Sequence, residues 1–319
     1  MNRLGKHFLR DSLNGKTHVG GFGKHPAWDD HIDDIGVATE TLVQAKQILY
    51  SEGIASQLAS GAWNEIEKSG QAIEFDHRFV WSRDEQSIIG SIWASADRKG
   101  RTRFPMTACI QAGCNGPAAT RLFLAFIERL GLLCRTAKTQ EDVRNSFDQA
   151  RAEVNGPMLH SEKLYPSERE TQIPEQTIVP ALVTLSAGLN PPGRSVSGKA
   201  GRSTGASFRL PATSKRMNEN LEFWSGYMAR HRKADWPYLI IAPVAKSWID
   251  LIVGQPISDD FYCLRANESV LPTASALAET KRTRRLEEEA RCYLQGVAAG
   301  SNPFPQNRRS WWSRLLARR

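Results

Sequence analysis

Residues 25–34, HPAWDDHIDD, concentrate side chains that bind divalent metals. The potential ligands are two histidines and four aspartates: His25, Asp29, Asp30, His31, Asp33 and Asp34. Imidazole and carboxylate groups together can hold a cation that activates water, so one hypothesis is a metal-dependent hydrolase centred on His25, Asp30 and His31. The alternative is a polar loop in which the aspartates cap turns, assisted by Pro26. Because no second ligand cluster accompanies this one, we favour the loop and expect neither metal nor cofactor.

Two other segments approach a phosphate-binding P-loop without completing it. Residues 15–17 are GKT, but Arg10 stands where the first glycine is required. Residues 193–200, GRSVSGKA, have both glycines and the lysine, but Ala200 replaces the hydroxyl residue that would hold magnesium. We therefore expect no catalytic residues and a non-enzymatic protein.

The segment ASADRKGRTRFPMT, residues 94–107, predicts a tight reversal of the chain. Asp97 can accept hydrogen bonds from the amides that follow it, and Gly100 suits the left-handed position of the turn. Four basic residues should project around the tip: Arg98, Lys99, Arg101 and Arg103. We predict that this hairpin meets the 24–30 loop in space, with Asp29 or Asp30 pairing with Arg98 or Arg101. Such a pairing would form a salt-bridged scaffold or a polar recognition surface.

The order of helical and β-like segments predicts the fold class. Residues 38–66 are compatible with one or two amphipathic helices, with a break at Gly53. Three β-like runs follow at 72–81, 87–96 and 104–112, and two helices come next, at 116–134 and at 139–154 with Thr139 as the cap. Ile88, Ile89, Ile92 and Trp93 are apolar on both alternations, which predicts a strand covered on both faces. We predict a layered α/β fold whose central sheet is mixed or largely antiparallel and flanked by helices.

Composition divides the chain into four parts. Residues 1–17 form an N-terminal extension, 18–155 a first α/β domain, 156–280 a second α/β segment or subdomain, and 281–319 a basic helical tail. Within the second segment, residues 190–218 are rich in Gly, Ser and Pro and carry six basic residues and no acidic one, which is typical of a loop. A helix near 221–232 and a buried strand after Pro237 should follow, whereas 247–256 and 259–266 fit either a helix or a strand.

The net charge of +8 lies almost entirely in the last part of the chain. Residues 281–319 hold ten basic and three acidic residues, and residues 1–280 are nearly neutral at +1. We therefore expect no nucleic-acid partner. The final segment, RRSWWSRLLARR at 308–319, has the composition of a short amphipathic helix that contacts an anionic membrane surface or a partner's groove, which makes a membrane-associated adaptor a further hypothesis. The simpler interpretation is a solubilising terminus.

Five scattered cysteines indicate a reducing compartment, because an odd number excludes a complete disulfide framework. The N-terminus lacks the continuous apolar core of a secretion signal, and charged residues interrupt the longest apolar runs. These observations lead us to expect a cytoplasmic protein.

Two motifs resemble the type VI secretion accessory family called TagF or ImpM. Residues 20–32, GGFGKHPAWDDHI, are similar to that family's N-terminal signature, approximately Gly-x-x-Gly-Lys-x-Pro-x-x-Gly-Asp-Phe. The matching positions are Gly20, Gly23, Lys24, Pro26 and Asp30. Asp29 stands where the family usually has glycine, and His31 where it has an aromatic residue.

Residues 90–110, GSIWASADRKGRTRFPMTACI, resemble the second family motif, Ser-x-Asp-Arg-x-Gly-Arg followed by an aromatic-Pro-Leu strand. One extra residue precedes Phe-Pro, and Met106 replaces leucine. The matching positions are Ser95, Asp97, Arg98, Gly100, Arg101, Phe104 and Pro105.

The resemblance covers residues 18–155 at most, with an echo in FWSG (223–226) and in the strand after Pro237. It implies an α/β fold and a cytoplasmic, non-enzymatic regulator of the secretion machine that acts by protein binding. Family members are thought to restrain assembly after translation, in some cases by binding a forkhead-associated scaffold protein. The expected partner is therefore a type VI secretion component, and the residues expected to contact it are those of the two motifs.

Overall fold

The computed structural model describes residues 17–83, 85–156, 174–189, 206–231, 236–274 and 281–298. Its strands are β1 (His18–Gly23), β2 (Asp76–Arg83), β3 (Gln86–Trp93), β4 (Met106–Ala112), β5 (Ala206–Pro211), β6 (Tyr238–Pro243) and β7 (Trp248–Val253). They form one seven-stranded sheet in the order β1-β4-β3-β2-β6-β7-β5, and each neighbouring pair is antiparallel. The predicted α/β class with a largely antiparallel sheet is confirmed.

Helices cover both faces of the sheet. One face packs against α4 (Gly116–Thr136), α5 (Gln140–Val154), α6 (Glu175–Leu189), α7 (Met217–His231) and α8 (Lys281–Ala298). The other packs against α1 (Glu40–Lys46), a π-helix (Gln47–Ile54), α2 (Ala55–Ser60), α3 (Ala62–Lys68) and a 3₁₀-helix (Ser258–Leu264). Neighbouring residues of β2 alternate accordingly, with Val80 in the first core and Phe79 in the second. The prediction that β3 is covered on both faces is confirmed, since every residue after Gln86 is buried.

Local capping signals fix where the two helices after β4 begin. The Asn115 side chain accepts a hydrogen bond from Ala118 N at 3.0 Å, and Pro117 occupies the first turn of α4. Thr139 caps α5 as predicted, in a reciprocal capping box with Asp142. From these starting points α4 packs along β3, and α5 lies next to β1.

The predicted helix break at Gly53 is wrong. The chain continues through Gly53 in the π-helix and changes direction at Gly61, whose φ of 73° is left-handed. Gly53 is instead a point of close approach, because a Cβ there would lie 2.4 Å from the ring of Phe261.

The predicted loop at 190–218 is wrong over its second half. Residues 206–211 form the edge strand β5, and α7 already begins at Met217; residues 190–205 lie outside the described residues. The basic residue in this strand, Arg209, is buried because Asp250 lies opposite it on β7, with Nε and Oδ1 2.7 Å apart. The ambiguous segments also become definite, 247–256 containing β7 and 259–266 most of the 3₁₀-helix.

The two segments expected on either side of residue 155 contribute to the same sheet through the pairing of β2 with β6. At the C-terminal end, α8 packs against α6 and buries Ala290, Tyr293 and Leu294. The extension at 1–16 and the RRSWWSRLLARR segment lie outside the described residues. None of the helices within the described ranges has both the length and the apolar character needed to cross a bilayer.

Candidate functional site

The two motifs leave the sheet side by side. Gly23, the last residue of β1, pairs with Met106, the first residue of β4. Only glycine fits at position 23, since φ is 119° and a Cβ would lie 2.2 Å from the Pro105 carbonyl oxygen. The next amide, Lys24 N, donates to that carbonyl at 3.2 Å. The chain then turns at Pro26, where Trp28 N donates to His25 O at 3.0 Å.

A buried ion pair joins the motifs. Lys24 and Asp97 are 73 residues apart in sequence, yet Lys24 Nζ lies 2.6 Å from Asp97 Oδ2. Their side chains are 5% and 0% exposed. Asp97 also accepts hydrogen bonds from Lys99 N at 3.0 Å, Arg101 N at 3.0 Å and Arg101 Nε at 2.7 Å.

These four donors determine the charge of Asp97. Burial alone would raise the pKa of this carboxyl, but the hydrogen bonds from Lys24 and Arg101 outweigh it and hold the pKa well below its usual range. Asp97 is therefore ionised, and its bonds to the following amides define the hairpin tip. Gly100 has the predicted left-handed conformation, with φ of 76°. Ser95, which precedes the turn, is half-buried.

The predicted meeting of the 24–30 loop and the hairpin is confirmed. Arg98 Nη1 lies 3.3 Å from Asp29 Oδ1, and Arg101 Nη2 lies 3.2 Å from Asp30 Oδ1. The same guanidinium groups donate to the loop backbone, Arg98 to Ala27 O at 2.6 Å and Arg101 to Asp29 O at 2.9 Å. These charged side chains are half or more exposed, whereas the deeply buried contact is the one between Lys24 and Asp97, which sequence reasoning did not single out.

His25 does not face the other potential metal ligands. Its Nδ1 accepts a hydrogen bond from Ala27 N at 3.1 Å, so Nε2 carries the proton and donates to the Cys134 carbonyl at 2.8 Å. Burial lowers the pKa of His25, although the bond to Cys134 acts in the opposite direction. The neutral imidazole thus connects the loop to the C-terminal end of α4 through hydrogen bonds.

The aspartates of the same segment are distributed among different cations. Asp33 pairs with Arg144 at 2.8 Å, and Asp34 pairs with Lys46 at 2.6 Å. His31 contacts only Asp30 among them, at 3.1 Å. Within the described ranges, no three His, Cys, Asp or Glu side chains come together in an arrangement that could hold a metal ion. The geometry therefore favours the interpretation as a polar loop over the proposed His25, Asp30 and His31 centre.

A cleft of about 350 Å³ opens between the motifs and the π-helix. Its aromatic part consists of Tyr50, Phe104 and His31, whose ring centroids lie 5.1–5.7 Å apart. The Tyr50 hydroxyl donates to Pro105 O at 3.3 Å, and Lys24 Nζ lies 5.9 Å from the Phe104 centroid. The complete lining is Gly23, His31, Ile32, Asp34, Lys46, Tyr50, Ser51, Ala55 and Phe104.

Sequence reasoning missed the contribution of the π-helix to this cleft. The spacing of Leu42, Ile48 and Leu49 indicates an amphipathic helix but not its winding. π-Helical turns are rare and are found frequently at functional sites. Here the π-helix carries Tyr50 and Ser51 to the cleft.

A second polar feature is a histidine buried within the sheet. His77, on β2, is fully buried, and neither ring nitrogen has a hydrogen-bond partner among the described residues. Burial lowers its pKa to about 3, and the nearby Arg78, Arg209 and Arg265 act in the same direction, against Asp76. His77 is therefore neutral in the folded protein.

Comparisons with known proteins find distant likenesses among solved structures. Neither the protein-family models nor the curated proteins contain a match. Among solved structures, the chain is similar to PA0076 from Pseudomonas aeruginosa PAO1, with 22% sequence identity and a TM-score of 0.30. The similarity covers 44% of this chain and 63% of the other, so it spans less than two thirds of the solved protein's length.

Proposed function

We propose that this chain is a cytoplasmic, non-enzymatic regulator of a type VI secretion system, and that it restrains assembly of the machine after translation by binding one of its proteins. A forkhead-associated scaffold protein is the leading candidate for the partner. The proposal starts from the resemblance of residues 20–32 and 90–110 to the TagF family. The observation that carries it is the buried pair of Lys24 and Asp97, which joins the two motifs into a single surface.

The position of the charges favours binding over chemistry. Lys24 and Asp97 are buried and satisfy each other, so their role is to hold the two loops together. Two solvent-facing arginines of the hairpin, Arg98 and Arg101, are fixed to aspartates and to the backbone of the loop. A rigid polar surface of this kind, displayed on loops at the end of a sheet, is typical of protein recognition.

The test is a count of fluorescently tagged secretion sheaths in the source bacterium. We expect fewer sheaths per cell when the chain is overproduced and more when it is deleted. Arg101→Ala should abolish the restraint, because it removes bonds to both Asp97 and Asp29. Circular dichroism must show that this variant is folded.

The matched control is Lys246→Ala, which alters an exposed lysine in the turn between β6 and β7. It should restrain assembly as the wild type does. Unchanged sheath counts on both overproduction and deletion would refute the proposed function.

A further inference from the structure

The cations around the hairpin outnumber the carboxylates that neutralise them. Arg98 and Arg101 are paired with loop aspartates. Lys99 and Arg103 are exposed, and no acidic side chain in the described part of the protein contacts either of them. The cations of the combined surface are Lys24, Arg98, Lys99, Arg101 and Arg103, and its carboxylates are Asp29, Asp30 and Asp97. The surface therefore has a net charge of +2, which corresponds to the two cations that pair with no carboxylate among the described residues.

The hairpin tip that carries Lys99 has a hydrogen-bonded backbone. Asp97 accepts hydrogen bonds from the amides of Lys99 and Arg101, and Gly100 N donates to Asp97 O at 2.9 Å. Arg98 N is held in turn by Trp28 O at 2.8 Å. A partner that binds here does not have to order the hairpin, so less conformational entropy is lost on binding.

The cleft continues this surface. Phe104 directly follows Arg103 in the chain and lines the cleft together with Tyr50, Ile32 and Ala55. The cleft's volume, about 350 Å³, is at the lower end of known ligand pockets and accommodates an apolar or aromatic side chain. The cleft's own charges, Asp34 and Lys46, already neutralise each other.

We infer that this surface binds an acidic segment of the partner protein, with one apolar or aromatic side chain in the cleft and neighbouring carboxylates on Lys99 and Arg103. The inference rests on the proposed function and adds the chemistry of the contact. Charge complementarity selects this occupant, because the remaining loop charges are compensated internally. Nucleic acid and anionic membranes require a larger basic area than two unpaired cations, and residues 1–280 have a net charge of only +1.

The first experiment is photo-cross-linking in the source bacterium. The photoreactive residue p-benzoylphenylalanine is placed at Ser51 in the cleft, at Lys99 on the hairpin, or at Lys246 as a control. Mass spectrometry then identifies the cross-linked peptide. We expect positions 51 and 99 to link to one protein, through a segment rich in Asp and Glu, and position 246 not to link to it. Links to nucleic acid, lipid or a segment without acidic residues, or no links at 51 and 99, would overturn the inference.

The second experiment measures affinity for that purified partner. Lys99→Glu/Arg103→Glu should weaken binding by about tenfold or more, since two attractive contacts become repulsive. Lys215→Glu/Lys246→Glu changes the net charge equally at exposed lysines near β5 and β7 and should remain within about twofold of the wild type. Lysine substitutions at the partner's cross-linked carboxylates should restore binding to the first variant.

The outcomes separate this inference from the proposed function. If Lys99→Glu/Arg103→Glu still restrains sheath assembly and binds normally, the acidic-segment surface is wrong while the regulatory function stands. If the wild-type chain itself has no effect on sheath number, the proposed function fails.

Discussion

His77 should make the stability of this protein depend on pH. The imidazole is neutral in the fold, where its pKa is about 3, whereas a histidine in the unfolded chain has a pKa near its ordinary value of 6.5. Between these two pH values the unfolded state binds more protons than the folded state. The free energy of unfolding therefore falls as the pH is lowered, and this contribution is fully present only above about pH 6.5.

The size of the effect follows from the difference between the two pKa values. One pKa unit corresponds to about 1.4 kcal/mol, so His77 removes about 2 kcal/mol of stability between pH 8 and pH 5 and about 4 kcal/mol by pH 3. His77→Leu abolishes this titration and also removes two buried nitrogens that have no partner within the described ranges. Its stability should decline about 2 kcal/mol less than that of the wild type between pH 8 and pH 5.

Urea denaturation followed by tryptophan fluorescence, repeated from pH 8 to pH 5, measures this difference. His77→Phe serves as the second variant, because it is also non-titrating but packs differently. Both variants should show the same flattened pH dependence, whatever their absolute stabilities. Equal losses of stability in the wild type and both variants would refute the argument that a buried neutral imidazole controls this part of the pH profile.

Substitutions at Arg209, Gly23 and Thr139 test other parts of the fold by the same denaturation measurement. Arg209→Met leaves the Asp250 carboxylate buried without its cation and should cost about 3–5 kcal/mol, much of which Arg209→Met/Asp250→Leu should recover. Gly23→Ala should cost about 1–3 kcal/mol, because its Cβ would collide with backbone, whereas Gly296→Ala in α8, where a Cβ meets nothing, should be neutral or stabilising by up to about 1 kcal/mol. Thr139→Ala should cost about 1 kcal/mol through loss of the α5 cap.

Each of these predictions has a specific contrary result. An Arg209→Met variant as stable as the wild type would mean that solvent reaches Asp250. Equal effects at Gly23 and Gly296 would contradict the close approach at the end of β1. A neutral Thr139→Ala would show that the cap is replaced by another acceptor.

Local patterns in the sequence are sufficient to predict those elements whose stabilising contacts lie within a few residues. Thr139 caps the amides of its own helix, and the turn at Asp97 and Gly100 is closed by bonds within five residues. The apolar residues of β3 likewise identify a covered strand. In each case the physical cause lies within a few residues, so it can be inferred without knowledge of the fold.

Features that depend on distant partners could not be inferred in this way. The Gly, Ser and Pro content of 190–218 and its excess of basic residues predict a loop, and the strand β5 within it depends on Asp250, which lies opposite Arg209 on β7. Helix α6 was not predicted, and it contains Pro180 within its span. At the candidate site, the charges of residues 24–30 correctly indicated pairing with the hairpin. That Lys24 is the buried partner of Asp97 could not be predicted, because it depends on how far inside the protein β1 ends, directly before Lys24.

The pairing of β2 with β6 has a consequence for biosynthesis. Until residues 238–243 have left the ribosome, β2 presents an open edge, although the strands that carry both motifs have already been made. At translation rates of about 5–20 residues per second, that interval is on the order of ten seconds. During this interval the nascent chain can associate with other chains through the unpaired edge of β2. We therefore expect the nascent chain to need chaperones most while the segment between β4 and β6 is being made, and chains terminated in that segment to aggregate.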